Sequence, residues 1–218
     1  MLTLARLVAA LAIGLLVTMQ ASAQGAGSLE SPRWTYELRG VYFEPDLPQF
    51  STFYGGDHST YFGLAGTYRL LDRLELGGEY GLMREHGVGV LSDSNTLGGS
   101  VEYRLDSFHV FANMIFQNEP TQRVVPYVGG GLLVMRYEQA VPQQATVEGR
   151  TDLGWSARAG VRFMVASVGP VARSSSTESS YWRSYMFVEA EHMSAKVDRW
   201  NLGGNAFVIG FRMEFNFN

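Results

Sequence analysis

The segment that ends the chain, residues 207–217, divides its side chains into two classes. The odd positions read Phe207, Ile209, Phe211, Met213, Phe215 and Phe217, and the even positions read Val208, Gly210, Arg212, Glu214 and Asn216. Side chains of a β-strand alternate between its two faces, so one face here is wholly apolar and the other is mostly small or charged. A heavy apolar face opposite a small, charge-paired face is typical of a strand in a transmembrane β-barrel, with the apolar face toward lipid.

The N-terminal segment predicts export. Arg6 precedes the apolar run Leu7–Val17, and the small-residue triplet Ala21-Ser22-Ala23 follows it. A basic start, a short apolar stretch and an A-x-A site indicate a cleavable signal peptide over residues 1–23, which leaves residues 24–218 as one barrel domain. The alternative is an N-terminal anchor helix, although a membrane-spanning helix needs about 20 apolar residues.

Composition excludes several classes of protein. The sequence contains no cysteine, which removes disulfides, thiolate metal sites and lipid modification at cysteine. After the signal segment no apolar run approaches the roughly 18 residues of a membrane helix. The net charge of −4 and the lack of a basic stripe give no reason to expect a nucleic-acid partner. No motif indicates a cofactor.

Alternation recurs along the whole chain. Eight segments show it, at residues 34–43, 60–70, 74–83, 96–117, 123–137, 151–165, 182–194 and 207–217. The predicted fold is therefore all-β, an eight-stranded antiparallel transmembrane barrel. In the fifth segment Tyr127, Leu133 and Met135 share a face opposite Arg136, which predicts that Arg136 points into the lumen.

The fourth segment is ambiguous. Odd residues are apolar over 96–105 and even residues are apolar over 108–117, so the phase slips near Asp106-Ser107. Either a bulge lies in one long strand or a tight turn separates two strands. Bacterial barrels have even strand numbers with both termini on one side, which favours one bulged strand.

The connections predict the orientation. The short connections 71–73 and 118–122 fit periplasmic turns, and the longer ones 44–59, 84–95 and 139–150 fit outer loops. Residues 166–181 should form a periplasmic turn, yet they include a serine-rich run, which we interpret as a disordered excursion.

The lumen is predicted to be crowded with charge. The inward positions would carry Glu37, Arg39, Arg69, Glu75, Glu79, Glu102, Arg104, Arg136, Asp152, Arg158, Arg162, Arg183, Glu189, Glu191, Arg212 and Glu214. Eight strands leave room only for side chains, and charges in so narrow a space must be paired to offset desolvation. The balance of acids and arginines favours a salt-bridged plug, and a gated narrow channel is the alternative.

Two stretches resemble a known class of protein. Arg123-Val-Val-Pro-Tyr-Val-Gly-Gly-Gly131 is similar to the "RPYVGxG" strand of small outer-membrane β-barrels of the OmpA/OmpX-like and OmpW-like type. Residues 202–217 resemble their closing strand. The resemblance implies the bacterial outer membrane, folding by the barrel assembly machinery and a monomer in contact with membrane lipids and lipopolysaccharide. It gives no activity, because such barrels do unrelated things.

A second, narrower resemblance concerns chemistry. His192-Met193-Ser194 is similar to the His-x-Ser of the lipid A 3-O-deacylase (PagL) family. That resemblance implies His192 as general base and Ser194 as nucleophile. The family's orienting acid lies further along, where this chain has Asn205 and Ala206, so Asp198 would have to take its place. The alternative is that these are polar residues at the membrane interface.

The remaining sequence motifs give little indication of function, and the sequence does not identify a ligand. His58, His86, His109 and His192 are scattered singly, so no metal site is expected. We therefore expect a non-enzymatic envelope protein with a closed, salt-bridged lumen whose outer loops meet lipopolysaccharide or external partners. The alternatives are a lipid A deacylase-like esterase and a narrow OmpW-like conduit for small hydrophobic molecules.

Overall fold

The computed structural model describes residues 32–47, 50–90, 97–119, 122–140, 146–168, 182–198 and 200–215. The strands are β1 (Trp34–Pro45), β2 (Ser59–Leu71), β3 (Leu74–Val90), β4 (Leu97–Ile115), β5 (Val124–Ala140), β6 (Val147–Arg150), β7 (Gly154–Val168), β8 (Trp182–Ser194), β9 (Lys196–Val197), β10 (Trp200–Asn201) and β11 (Gly204–Phe215), with one short helix, α1 (Phe50–Tyr54). The predicted signal peptide and most of the serine-rich segment lie outside these residues.

The eight long strands form a closed antiparallel barrel, and that prediction is confirmed. The order β4-β3-β2-β1-β11-β8-β7-β5 is closed by pairing of β4 with β5. The first and last strands, β1 and β11, pair along their whole length from Trp34–Phe215 to Pro45–Gly204. We call the end where β1 begins and β11 ends the terminal end, and the opposite end, which carries the connections after β1, β3, β5 and β8, the loop end.

The outer surface is a belt of exposed apolar side chains. Phe62 is 76% exposed and Val110 71% exposed, and the face of β7 that carries Trp155 and Phe163 also points outward. A soluble protein rarely leaves so continuous an apolar surface uncovered, so the belt is the surface that meets lipid.

Aromatic pairs border this belt, as in the girdles of membrane barrels. Trp34 lies 4.8 Å from Tyr68, ring centroid to centroid, at the terminal end. Toward the loop end Tyr80 and Phe108 pack with their ring centroids 5.0 Å apart.

β4 is a single strand, and the expected bulge near Asp106-Ser107 is absent. Its register with both β3 and β5 runs through this region without a shift. Odd residues point inward along the whole strand, from buried Val101 to buried Ile115. The change of phase in the sequence therefore comes from the surroundings of the strand and not from its backbone. Toward the loop end, the inward side chains become apolar and the outward side chains become charged.

Four predicted lumenal charges are wrong, and the inversion explains three of them. Glu102 and Arg104 lie on the outward face of β4, and Arg136 lies on the outward face of β5 opposite buried Leu133 and Met135. The apolar face of β5 was wrongly taken as the lipid face. Asp152, in contrast, is exposed before β7 begins, so it precedes the lumen rather than lining it.

Two strands are longer than the sequence predicted, and the loops that follow them are shorter. β3 continues to Val90 and β5 to Ala140, and β6 adds a short strand to the loop-end part of β5. Much of the expected loops 84–95 and 139–150 is therefore a sheet that extends the barrel wall beyond the apolar belt.

The loop end of the lumen is filled by an apolar core. Its buried members are Val41, Phe43, Met83, Tyr103, Leu105, Leu133, Met135, Phe187, Met193, Ala195, Leu202, Ala206 and Val208. Helix α1 belongs to this core, because Phe50 is buried and the ring centroid of Tyr54 lies 5.5 Å from that of Tyr103. No helix among the described residues is long and apolar enough to cross a membrane.

Inward glycines make space for large side chains in the narrow lumen. A Cβ at Gly160 would lie 2.5 Å from the hydroxyl oxygen of Tyr127, and a Cβ at Gly77 would lie 2.5 Å from Cζ of Phe111. Small residues facing large ones are how a small barrel fills its interior.

Candidate functional site

The middle and the terminal end of the lumen are filled by buried charge. Among the described residues, six glutamates and six arginines are buried there: Glu37, Glu75, Glu79, Glu189, Glu191, Glu214, Arg39, Arg69, Arg158, Arg162, Arg183 and Arg212. All twelve project from the inward face of a strand, where strand alternation places them. We call this set the lumen network.

Glu75 of β3 is the centre of the terminal-end part of the network. The Oε1 atom of Glu75 lies 2.5 Å from a guanidinium nitrogen of Arg212 and 3.4 Å from one of Arg69. The Oε2 atom lies 2.8 Å from a guanidinium nitrogen of Arg162. Glu75 is fully buried, so its charge is balanced by these guanidinium groups and not by water. One carboxylate thereby joins strands β2, β3, β7 and β11.

Arg39 and Arg158 organise a second part of the network, further toward the loop end. Both guanidinium groups lie 3.1 Å from Glu79, and Arg158 also lies 2.7 Å from Glu191. Arg39 completes the set with an ion pair to Glu189. These contacts run across the barrel between β1, β3, β7 and β8.

Glu37 joins the two parts into one network. One of its oxygens lies 2.6 Å from Arg212 and the other 3.0 Å from Arg39. The guanidinium group, with five N–H donors in one plane, suits contact with several carboxylates at once, and no lysine is found among the buried charges of the described residues.

Aromatic rings cover the arginines where carboxylates do not. The guanidinium carbon of Arg158 lies 4.1 Å from the centre of the Phe111 ring, and that of Arg162 lies 4.4 Å from the Tyr127 ring. The Tyr127 hydroxyl donates a 2.8 Å hydrogen bond to Glu189. Such cation–π contacts are stronger in a desolvated site than in water.

Two carboxylates of the lumen network and the neighbouring His109 have the geometry of a metal site. Ligand atoms of Glu79, His109 and Glu191 lie within 4.8 Å of one another. The Arg158 guanidinium, however, contacts all three, including His109 Nδ1 at 3.5 Å. The arginine already supplies the positive charge that the carboxylates require, so these residues fit an ion-pair cluster better than a cation site.

The proposed deacylase residues lie on the outer surface near the loop end. His192 Nδ1 lies 3.0 Å from the amide oxygen of Asn205, its register partner on β11. Within the described part of the chain no hydrogen bond joins His192 to Ser194, and no carboxylate contacts the imidazole. Asp198 is exposed in the turn between β9 and β10 with φ at 51°. The structure does not bring these three residues together.

Sequence reasoning missed two lumenal residues. His109 is buried beside Glu191, and Tyr127 is buried beside Glu189. The alternation of residues 108–117 already places His109 opposite the apolar face. Tyr127 was placed on the lipid face, because its strand is apolar on both faces and Arg136 was taken to point into the lumen.

Comparison with known proteins supports the fold. No protein-family model and no curated protein sequence matches the chain. Neisserial surface protein A (NspA) superposes with a TM-score of 0.50 at 12% identity, over 83% of this chain and 96% of that chain. The outer membrane protein OprG from Pseudomonas aeruginosa superposes with a TM-score of 0.51 at 11% identity, over 86% and 98%. The chain therefore has the fold of the small eight-stranded outer-membrane barrels.

Proposed function

We propose that this chain is a non-conducting protein of the bacterial outer membrane, with a structural and interaction role at the cell envelope. The observation that supports this most directly is the lumen network. Six acids and six arginines are buried side by side in a barrel whose interior has room only for side chains. A pore that selects one sign of ion would instead line a water-filled passage with charges of that sign.

Two further layers support a closed lumen. The apolar core fills the loop end above the network, and α1 packs against it through Phe50 and Tyr54. An ion would have to cross an apolar layer before reaching the charges, and hydrophobic constrictions oppose hydration of an ion.

The outer surface of the loop end would carry the interaction role. The strands of β3–β6 extend beyond the apolar belt and bear charged side chains outward, including Arg84, Glu102 and Arg136. Function on a rigid barrel is most easily placed at such projecting segments. In this proposal they face lipopolysaccharide or an external partner, and the barrel is a monomer.

The lipid A deacylase alternative is not part of this proposal. Its general base would need a carboxylate to hold the imidazole, and His192 has the amide of Asn205 beside it. A through-lumen conduit for hydrophobic molecules would have to displace the apolar core, of which Phe43, Leu133 and Met135 are nearly inaccessible.

Planar-bilayer recording of the refolded protein tests the proposal. We expect no stable single-channel steps at neutral pH, with circular dichroism confirming a β-sheet spectrum in the same preparation. A matched control is Arg212→Ala with Glu37→Ala, which empties part of the network and should permit small, flickering currents. Large and stable conductance of the unmodified protein would overturn the proposal.

A further inference from the structure

Two pairs of arginines lie directly opposite each other on the outer surface of the loop end. Arg84 of β3 is the register partner of Arg104 of β4, and Arg136 of β5 is the register partner of Arg150 of β6. All four project outward; Arg84, Arg136 and Arg150 are exposed and Arg104 is half-exposed. Like charges directly opposite in an antiparallel pair are destabilising, so each pair favours an anion between its members.

Two of the four arginines form ion pairs with acids of the protein, and Arg104 also has Glu138 as its register partner on β5. Arg104 lies 3.1 Å from Asp106, and Arg136 lies 3.1 Å from Glu148. Among the described residues no acid forms an ion pair with Arg84 or Arg150. Each arginine pair thus keeps one guanidinium group that can take an anion from outside the protein, while the other is held in place by its carboxylate.

The pairs lie just beyond the apolar belt. Phe108 and its register partner Tyr80 form the last aromatic row of the belt on β3 and β4. Asp106, the next outward residue of β4, is the register partner of Arg136. With a rise of about 3.4 Å per residue, Arg136 lies roughly 7 Å further along the strand than the aromatic row, and Arg104, four residues from Phe108, lies roughly 14 Å further. The Arg136/Arg150 pair is therefore at the depth of the headgroup region of a membrane, and the Arg84/Arg104 pair lies at its outer edge.

We propose that the outward face of β3–β6, through the Arg84/Arg104 and Arg136/Arg150 pairs, binds the phosphate groups of a phosphorylated glycolipid in the adjacent leaflet. Two guanidinium groups from neighbouring strands match the several oxygens of a phosphate in a bidentate manner. The acyl chains of the same lipid would lie against the exposed Phe108 and Val110 below. The inference rests on the proposed function only in placing the barrel in a membrane.

A second anion-binding route must be distinguished from this one. Glu138 and Glu148 are also register partners, and a like-charged carboxylate pair can hold a divalent cation that bridges to phosphate. In that case binding would depend on the cation rather than on the arginines. Chelation of divalent ions separates the two routes.

The test uses the full barrel in detergent micelles and measures lipid binding by native mass spectrometry in the presence of EDTA. The probes are lipid A with two phosphates, the same lipid without phosphates, and inorganic phosphate. The test variant is Arg84→Gln/Arg150→Gln, which leaves the Arg104–Asp106 and Arg136–Glu148 ion pairs intact. The control variant is Arg73→Gln/Arg123→Gln, which removes the same charge from exposed positions at the terminal end.

The expected result is binding of bisphosphorylated lipid A that weakens at least tenfold in the test variant and for the dephosphorylated lipid, with the control variant unchanged. Equal binding by the test variant would overturn the proposal, as would loss of binding in EDTA. Inorganic phosphate bound as tightly as the lipid would overturn the lipid as the ligand. Every variant is checked for a β-sheet spectrum and for absence of channels, so a failure of this inference is distinct from a failure of the proposed function.

Discussion

At the scale of single residues, the most consequential group is a carboxylate with no access to water. Glu75 is shared by Arg69, Arg162 and Arg212, which come from three other strands. Its negative charge is the common counter-charge of the terminal-end part of the network. Removing one partner from a buried ion pair costs far more than the pair contributes relative to an apolar replacement.

Glu75→Gln should therefore destabilise the barrel strongly. The change leaves three guanidinium groups without their shared partner, and we expect a loss of about 3–5 kcal/mol in the free energy of unfolding. Urea titration of the barrel in lipid vesicles, followed by tryptophan fluorescence, measures it. The matched control is Glu148→Gln, whose partner Arg136 is solvent-exposed, and its expected cost is below about 1 kcal/mol. Equal costs for the two variants would contradict the role given to burial.

A second residue-scale prediction concerns space and not charge. Gly160→Ala would place a Cβ 2.5 Å from the Tyr127 hydroxyl oxygen, whose hydrogen bond to Glu189 would be lost when the ring moves. We expect a destabilisation of about 1–3 kcal/mol from overpacking. In Gly40→Ala, the control, the nearest atom to the new Cβ is 3.6 Å away, so the same unfolding measurement should show little change. A neutral Gly160→Ala would mean that Tyr127 can be accommodated elsewhere.

At the scale of elements, β4 shows how one strand serves two environments. Its outward residues are apolar at Val110 and Phe108 and charged at Asp106, Arg104 and Glu102. Its inward residues change in the opposite sense, from His109 to the apolar Leu105 and Val101. The strand therefore crosses lipid over one part of its length and continues as the wall of a water-exposed barrel over the next.

A charge placed on the outward face of β4 should be costly only within the belt. Val110→Arg, one row inside the aromatic border, should weaken folding into lipid vesicles by about 1–3 kcal/mol, between the costs at the interface and at the bilayer midplane. Glu102→Arg, on the same face beyond the belt, should leave folding unchanged. The fraction folded is read from the shift in mobility of unheated protein on gels. A large loss for Glu102→Arg would show that this part of β4 is covered by lipid or by protein.

The same strand explains which features could be predicted from sequence. Alternation located all eight long strands. It also assigned the inward charges of β1, β2, β3, β7, β8 and β11, because the face toward lipid is apolar there and the face toward the lumen carries ion pairs. It failed for Arg104 on β4 and Arg136 on β5, where the inside is apolar and the outside charged. A rule that treats the apolar face as the lipid face is valid only at membrane depth.

Other features depend on contacts that a linear pattern does not contain. Helix α1 has only five residues, too few for a periodic signal, and it is held by packing on Tyr103. The choice of Glu75 as partner for Arg162 and Arg212 depends on the stagger between strands distant in sequence. Tyr127 was assigned to the lipid face, wrongly, because its strand is apolar on both faces and the alternation there does not show which face is the lumen.

At the scale of the whole molecule, α1, the apolar core and the lumen network together close the lumen, and a change of pH can affect α1 without the other two. α1 packs against the apolar core at the loop end, and the lumen network fills the rest of the lumen. Burial, with a smaller contribution from the charge of Glu85, raises the pKa of Tyr54 in α1 to about 12. An unperturbed tyrosine titrates near pH 10, so undocked α1 would ionise at lower pH than docked α1.

Alkali should therefore release α1 before it affects the barrel. Because the pKa is raised in the folded state, the contribution of Tyr54 is complete below about pH 10 and is lost as the pH rises toward 12. The chain contains no cysteine, so a spin label at Ser51→Cys reports on α1 alone, and we expect its mobility to rise over that range. Adding Tyr54→Phe should diminish the step. Conductance should stay absent at pH 11, and channels appearing there would mean that α1 alone closes the lumen.

The ion pairs that cross the lumen also bear on how the chain is assembled. Arg212 on the last strand contacts Glu37 on the first and Glu75 on the third, so these charges meet only when the two ends of the sheet join. An open, half-formed sheet would present lone charges beside the lipid, at a cost of several kcal/mol each. A partly inserted sheet is therefore less stable than the closed barrel, so the ion pairs favour closure with the correct pairing of the first and last strands.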